Sequence, residues 1–270
     1  MKKTSYIAII ALLVLFTAIF ARETNAQKGE ILKRNVKIEG ATPGKPVVYL
    51  GKVYNKKAGK FVDSYAIVHY TARSASKPIK TISGANCYGY LAKGAKWKTS
   101  EPWLVDSLHT GGLSAASILQ NMSADVSKWE QAAGRNVDIL GQGSIPADLI
   151  DSNNLFANGK NEVTFAPIDN QGAIAVTYVL GIFGGVTMQR ELFEWDQIYD
   201  DTDFAWSMTG EAGKMDFESL ATHELGHAVG MGDLYTSGCA EQTMYGYATE
   251  GETKKRTLET GDIKGINMLY

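Results

Sequence analysis

The chain is poor in most of the residues that announce a specialised architecture. Its 270 residues contain two cysteines, six prolines and four histidines. Two cysteines permit one disulfide at most, so no dense disulfide framework holds this chain together. The formal net charge is only −2, which gives no overall pull towards nucleic acid. The longest apolar run, Tyr6 to Ala21, is about 16 residues, shorter than the roughly 20 a membrane-spanning helix wants. No internal repeat is evident, so the chain is not an array of small units.

The small net charge hides an uneven distribution. Residues 27–80 carry 12 Lys/Arg against 3 Asp/Glu, and residues 81–270 carry 12 against 25. A basic N-terminal segment is thus joined to an acidic C-terminal region. The segment can lie on that region as a pro-segment or a permanent flank, or it can be a plain solvated surface. Ahead of it, Lys2 and Lys3 precede the apolar run, and Thr24-Asn25-Ala26 offers small residues for cleavage. That is the layout of a secretory signal peptide, with Gln27 as the new N-terminus. An uncleaved membrane anchor is the alternative.

What the chain does have is His223-Glu224-Leu225-Gly226-His227-Ala228-Val229-Gly230-Met231-Gly232-Asp233. Two histidines four apart on a helix lie on one face, where their rings can share a metal ion. Glu224 is turned slightly aside, where a carboxylate can take a proton from water on that ion. Gly230 falls where a helix needs a left-handed residue to stop and turn. Asp233 then brings an oxygen ligand, and a helix-end aspartate is the plainer reading of it. Phe217, Leu220, Ala221, Leu225, Ala228 and Val229 give this helix an apolar stripe, with the histidines beside it.

This run resembles the long zinc-binding consensus of the metzincin metallopeptidases. Thr243-Met244-Tyr245-Gly246-Tyr247 is similar to their Met-turn, and a tyrosine directly after the methionine is closest to the matrixin branch. Gly261 to Tyr270 resembles the C-terminal helix of a matrixin domain, and Asp216 to Thr222 its run into the zinc helix. The resemblance covers about residues 95 to 270. It implies zinc held by His223, His227 and Asp233, Glu224 as general base, and Met244 as an apolar floor. Matrixins normally have a third histidine where this chain has Asp233. Carboxylate is an accepted zinc ligand at similar bond length, and its charge should weaken the metal's pull on water. Gly246 stands where two other branches have a metal-proximal tyrosine, so neither Tyr245 nor Tyr247 is given a metal role.

Cys87 and Cys239 form an even pair, which in an exported protein favours a disulfide. The rival is a cysteine switch, but Gly84-Ala85-Asn86-Cys87-Tyr88-Gly89 does not resemble the matrixin switch motif. Of the remaining histidines, His69 reads as a strand side chain outside the catalytic region, and His109 as a loop residue. Asp196, Asp200, Asp201 and Asp203 fall where matrixins often bind structural calcium, and carboxylates suit that ion. A solvated acidic loop is the other reading.

The expected fold is α/β (α+β): a metzincin-like domain with a twisted mixed sheet, a long backing helix, the zinc helix, the Met-turn and a C-terminal helix. The expected divisions are a signal peptide over 1–26, a basic segment over 27–90 and the catalytic domain over 91–270. Strand-like runs are Val47 to Val53, Asp63 to Tyr70, Trp97 to Asp106, Val137 to Leu140, Glu162 to Ile168, Ala173 to Phe183 and Arg190 to Tyr199. The backing helix runs from Ser114 to about Ala133. By resemblance, Ala173 to Phe183 is the sheet edge bordering the cleft, and an exposed edge can pair with an extended peptide.

The expected function is therefore that of a secreted zinc metalloendopeptidase acting on extended protein or peptide substrates. No nucleic-acid partner is expected, and no stable membrane association unless the leader stays attached. A secreted, non-catalytic binding module with a structural zinc is the alternative. It would need the metal without Glu224, and a closed fourth coordination position.

Overall fold

The computed structural model describes residues 35–74, 86–134 and 137–270. The expected signal peptide lies outside these residues. Among the described residues no helix is long and apolar enough to cross a membrane.

The first two strands form a hairpin, β1 (Val47–Asn55) and β2 (Lys60–Thr71). Gly59 takes a positive φ of 63° at the turn, a conformation that glycine reaches without steric cost. Next come β3 (Trp103–Val105) and the backing helix α1 (Ala115–Ala133). Ser114 caps α1 by accepting from the Ser117 N–H. Ile118, Met122, Val126, Trp129 and Ala133 make its buried face. The strands β4 (Gly143–Ser144), β5 (Asn161–Phe165), β6 (Ala173–Ile182) and β7 (Glu191–Tyr199) follow. A small pair, β8 (Trp206–Ser207) and β9 (Met215–Asp216), leads into the zinc helix α2 (Phe217–Ala228). After the Met-turn come β10 (Tyr247–Ala248) and the C-terminal helix α3 (Thr260–Leu269).

The main sheet has the order β1-β2-β6-β7-β5-β3-β4, with β10 pairing the end of β2. It is mixed: β6 is antiparallel to β2 and β7, while β7, β5, β3 and β4 run parallel. Side chains alternate between its faces. Ile67, Ala175, Val179, Trp195 and Tyr199 point towards the helices. Ala66, Val68, Val176, Tyr178 and Ile198 pack under Ile38, Ile150 and Leu155 on the other side. Burial on both faces explains why β6 reads as a continuous apolar run.

Three expectations change. Val137 to Leu140 is not a strand, because Glu130 accepts from the Ile139 and Leu140 N–H groups and ties that stretch to α1. The strand begun at Trp97 is confined to Trp103–Val105; Trp97 instead points its indole at the Ala228 carbonyl. The third change has functional weight. Ala173–Ile182 is not a sheet edge, since β2 is hydrogen-bonded along it from Asp63↔Gly181 to Tyr70↔Ala173. The basic segment thus supplies the outer strands of the sheet, and its Lys57 pairs with Glu101 of the acidic region. Cys87 and Cys239 form a disulfide, their Cα atoms 5.4 Å apart.

Candidate metal centre

The zinc helix is fixed at both ends by residues that satisfy its unpaired backbone groups. Asp216 is the N-cap and accepts from the Ser219 N–H at 3.0 Å. The Arg256 guanidinium grips the same carboxylate at 2.9 and 2.6 Å. At the other end Gly230 has φ +103°, and a Cβ there would stand 2.7 Å from the Ala95 carbonyl oxygen. Only glycine fits that turn, which returns the chain towards the site. Apart from Glu218, every residue of α2 is buried, as expected of a helix packed on all sides. On one of those sides the Trp129 indole of α1 donates to the Thr222 carbonyl.

His223 Nδ1 lies 2.7 Å from the Thr243 carbonyl, and His227 Nδ1 lies 3.0 Å from the Met231 carbonyl. A carbonyl only accepts, so each Nδ1 carries the proton and each Nε2 presents a lone pair. Both Nε2 atoms face Asp233 Oδ1, at 3.2 and 3.4 Å. All three are buried and without a hydrogen-bond partner. Three acceptors facing one another suit a cation between them. Bonds of about 2.0–2.1 Å to a tetrahedral zinc imply donor separations of about 3.3–3.4 Å, which these distances match. The donor set fits zinc.

The surrounding groups hold that set in place. Asp233 Oδ2 accepts from the Tyr235 hydroxyl at 2.9 Å. The Tyr235 ring packs where a Cβ on Gly246 would otherwise stand, so Gly246 makes room for this partner. Burial by itself works against the Asp233 charge. Burial holds His223 down to about 3, leaving its imidazole neutral. Glu224 Oε2 accepts from the Thr177 hydroxyl of β6 at 2.6 Å. Burial pushes Glu224 up to about 7, against the pull of His227 and that hydrogen bond. A carboxyl near neutrality can both take and return a proton.

Met244 is fully buried, and its sulfur lies where a Cβ on Gly226 would come within 2.2 Å. The Met-turn therefore lies directly under the zinc helix. Asp262, in the first turn of α3, accepts from the Thr243 and Met244 N–H groups at 2.8 and 3.2 Å. The C-terminal helix thereby fixes the turn whose Thr243 carbonyl orients His223. Buried Lys255 donates to the Tyr245 carbonyl on the same turn, and burial lowers it to about 8.

Residues 151–270 match the family model for matrixins. The chain is also similar to metalloendoproteinase 2-MMP of Arabidopsis thaliana, 35% identical over 77 residues. That match covers 26% of this chain and 19% of that protein, so the chain spans about a fifth of the relative's length. The matched residues carry α2, Asp233, the turn at Met244 and α3, while β1, β2, β3 and α1 come from outside them.

The structure brings together His223, His227, Asp233, Glu224 and Met244. It adds three residues that sequence reading did not single out: Thr177, Tyr235 and Asp262. It also brings in His69, which is a strand side chain as expected but stands against His223 and Glu224 rather than outside the catalytic region. Thr177 and His69 come from separate strands, so no spacing could reveal them. Asp262 had a local signal, the capping box it forms with Glu259 at the start of α3. His109 lies elsewhere, with Nδ1 2.9 Å from Asp106. The acidic residues expected near calcium do not converge. Asp196 is buried within β7, and Asp200 accepts from the Ile168, Thr202 and Asp203 N–H groups. Among the described residues the groups able to hold a metal are His223, His227 and Asp233, and His69, His223 and Glu224.

Proposed function

We propose that the chain is a secreted zinc metalloendopeptidase that cleaves extended peptide segments. The observation that carries this reading is the trio of unpartnered acceptors with a proton-accepting carboxylate beside it, inside a matrixin domain. Zinc bound there supplies a Lewis acid that polarises a carbonyl and makes water more acidic. Glu224 takes the water's proton as the carbon–oxygen bond forms, then returns it to the departing amine as the carbon–nitrogen bond breaks. The Thr177 hydroxyl holds Glu224 Oε2, leaving Oε1 to carry the proton. Asp233 lowers the net charge at the centre, and Tyr235 restrains that carboxylate.

Export rests on the leader, with Lys2, Lys3, the apolar run and the small residues before Gln27. N-terminal sequencing of protein recovered from the medium checks it. The activity is tested with an unbiased quenched-peptide library. Cleavage should require zinc and should vanish in Glu224→Ala while zinc stays bound. Equal cleavage by that variant would remove Glu224 from the reaction.

A non-catalytic module with a structural zinc is the second reading, and one observation favours it. His69 stands beside the donor set, where it can close a fourth position. Against it stand Glu224 and its Thr177 partner, which a purely structural site does not use.

A further inference from the structure

The strand β2 lies where an extended peptide would have to lie. It runs antiparallel along β6 on one side and parallel to Tyr247–Ala248, just past the Met-turn, on the other. Both backbone rims beside the metal centre are therefore paired by the chain's own residues. Adding a strand to a free edge is a general way of binding an extended peptide, and here that edge is already taken. As a result His223, Glu224 and His227 have no exposed surface.

Alternation along β2 puts Ile67 against the helices and His69 on the same face two residues on. The His69 ring meets the His223 ring edge to face, with centroids 4.1 Å apart. Its Nδ1 is 3.3 Å from Glu224 Oε1. His69 is 1% exposed, and neither of its nitrogens has a hydrogen-bond partner. A buried imidazole without partners is costly, and the groups it faces are a metal donor and the general base. His223 belongs both to the triad with His69 and Glu224 and to the triad with His227 and Asp233.

We infer that β2 is an internal occupant of the peptide-binding edge, and that His69 is the donor that closes the metal's fourth position. The chain as folded is then self-capped, with an imidazole rather than a thiolate as the cap. Both cysteines are committed to each other in the disulfide and are not available for that task. Opening requires β2 to leave β6. The Asn55–Lys60 turn is the accessible point for that, because Lys56, Lys57 and Lys60 are exposed. The consequence for activity rests on the peptidase reading, whereas ligation by His69 does not.

The test loads the purified full chain with Co²⁺ in place of zinc and compares His69→Cys and His69→Ala with wild type. The cysteine variant should gain a thiolate-to-cobalt charge-transfer band, because a thiolate shows one only when bound to the ion. The alanine variant should change the visible cobalt spectrum and lose at least tenfold in zinc affinity by chelator competition. Its cleavage of the quenched-peptide library should rise at least tenfold after limited trypsin treatment opens the Asn55–Lys60 turn and lets β2 leave β6. No band in the cysteine variant, with an unchanged spectrum and zinc affinity in the alanine variant, overturns the inference whatever the cleavage rate. Spectral changes without any gain in cleavage would uphold the cap and count against the peptidase reading. Both substitutions are single side chains on a paired strand, and a melting curve identifies a variant that has not folded. In that case the conservative His69→Gln, which keeps the side-chain length, takes the place of alanine.

Discussion

Two clusters of buried polar side chains sit on opposite faces of the same sheet, and they differ in where their lone pairs go. On the helix side, His223, His227 and Asp233 turn three unpartnered acceptors towards one another. On the other side Glu162, Glu194 and Asp196 are equally buried. There Glu194 accepts from the Asn158 and Gly159 N–H groups, both at 2.9 Å. Asp196 accepts from the Glu162 N–H at 3.0 Å, and Glu162 from the Asn158 side-chain amide. One Asp196 oxygen alone remains without a partner. Burial raises the pKa in this second cluster, pushing Glu194 up to about 7 and Asp196 well above the usual range. Protonation relieves that cluster, whereas three acceptors converging at the spacing of a tetrahedral site suit a bound metal ion. Buried carboxylates alone therefore do not mark a metal centre; convergence of unpartnered acceptors does.

The sharpest way to break this contrast is at the chemistry. Glu224→Ala should lower kcat/KM by about 10²–10⁴, the usual worth of a general base, while zinc content measured by atomic absorption stays near one per chain. Loss of zinc as well would make Glu224 part of the donor set and blur the division between donors and base.

Chelation is the next largest test. Zinc present at a thousand times its dissociation constant stabilises the fold by about 4 kcal/mol, or roughly 10 °C in a chain of this size. Removing it should lower the melting temperature by that order in wild type and equally in Asp196→Asn, because Asp196 lies on the opposite face of the sheet from the three converging acceptors. A smaller chelator effect in Asp196→Asn would mean that the second cluster also binds metal.

Asp262→Ala probes the support beneath the site. It leaves the buried Thr243 and Met244 N–H groups without acceptors, at a cost of about 1–3 kcal/mol each. Urea unfolding should record a loss of about 2–6 kcal/mol, with weaker zinc binding because the Thr243 carbonyl no longer holds His223. Unchanged zinc affinity would show that the turn keeps its place without Asp262.

The smallest effect tests the second cluster directly. A carboxyl whose pKa is raised by folding contributes stability below its unfolded value, and that contribution fades as pH rises through the folded value. For Glu194 the window runs from about 4.5 to about 7. Stability should therefore decline across this range. Asp196→Asn, which removes a second carboxyl whose pKa burial raises, should flatten the decline by about 1–2 kcal/mol. An unaltered slope in denaturant titrations at pH 5 and pH 8 would place the ionisation elsewhere.

The parts of the site that sequence reading reached are those written in one stretch of chain. HELGHAVGMGD encodes its own geometry, because helical periodicity aligns His223 with His227 and Gly230 permits the turn to Asp233. The α1 face and the C-terminal helix were legible for the same reason, since a local period sets which side is buried. The Val137 to Leu140 strand failed because that apolar stretch is tied down by Glu130, a contact invisible to any pattern. The β6 edge failed because strand order depends on which distant segment competes for its hydrogen bonds.

By itself, then, the sequence determined the identity and local order of the candidate donors, the carboxylate beside them and the turn that follows. The tertiary structure alone decided what stands over them. Thr177 reaches Glu224 across 47 positions, and His69 reaches His223 from a strand that joins the sheet only after the chain has folded back on itself. Backbone pairing has no sequence code of its own: any exposed strand can satisfy any exposed edge. That is why the placement of β2 against β6, and of His69 at the metal centre, had to be seen rather than read.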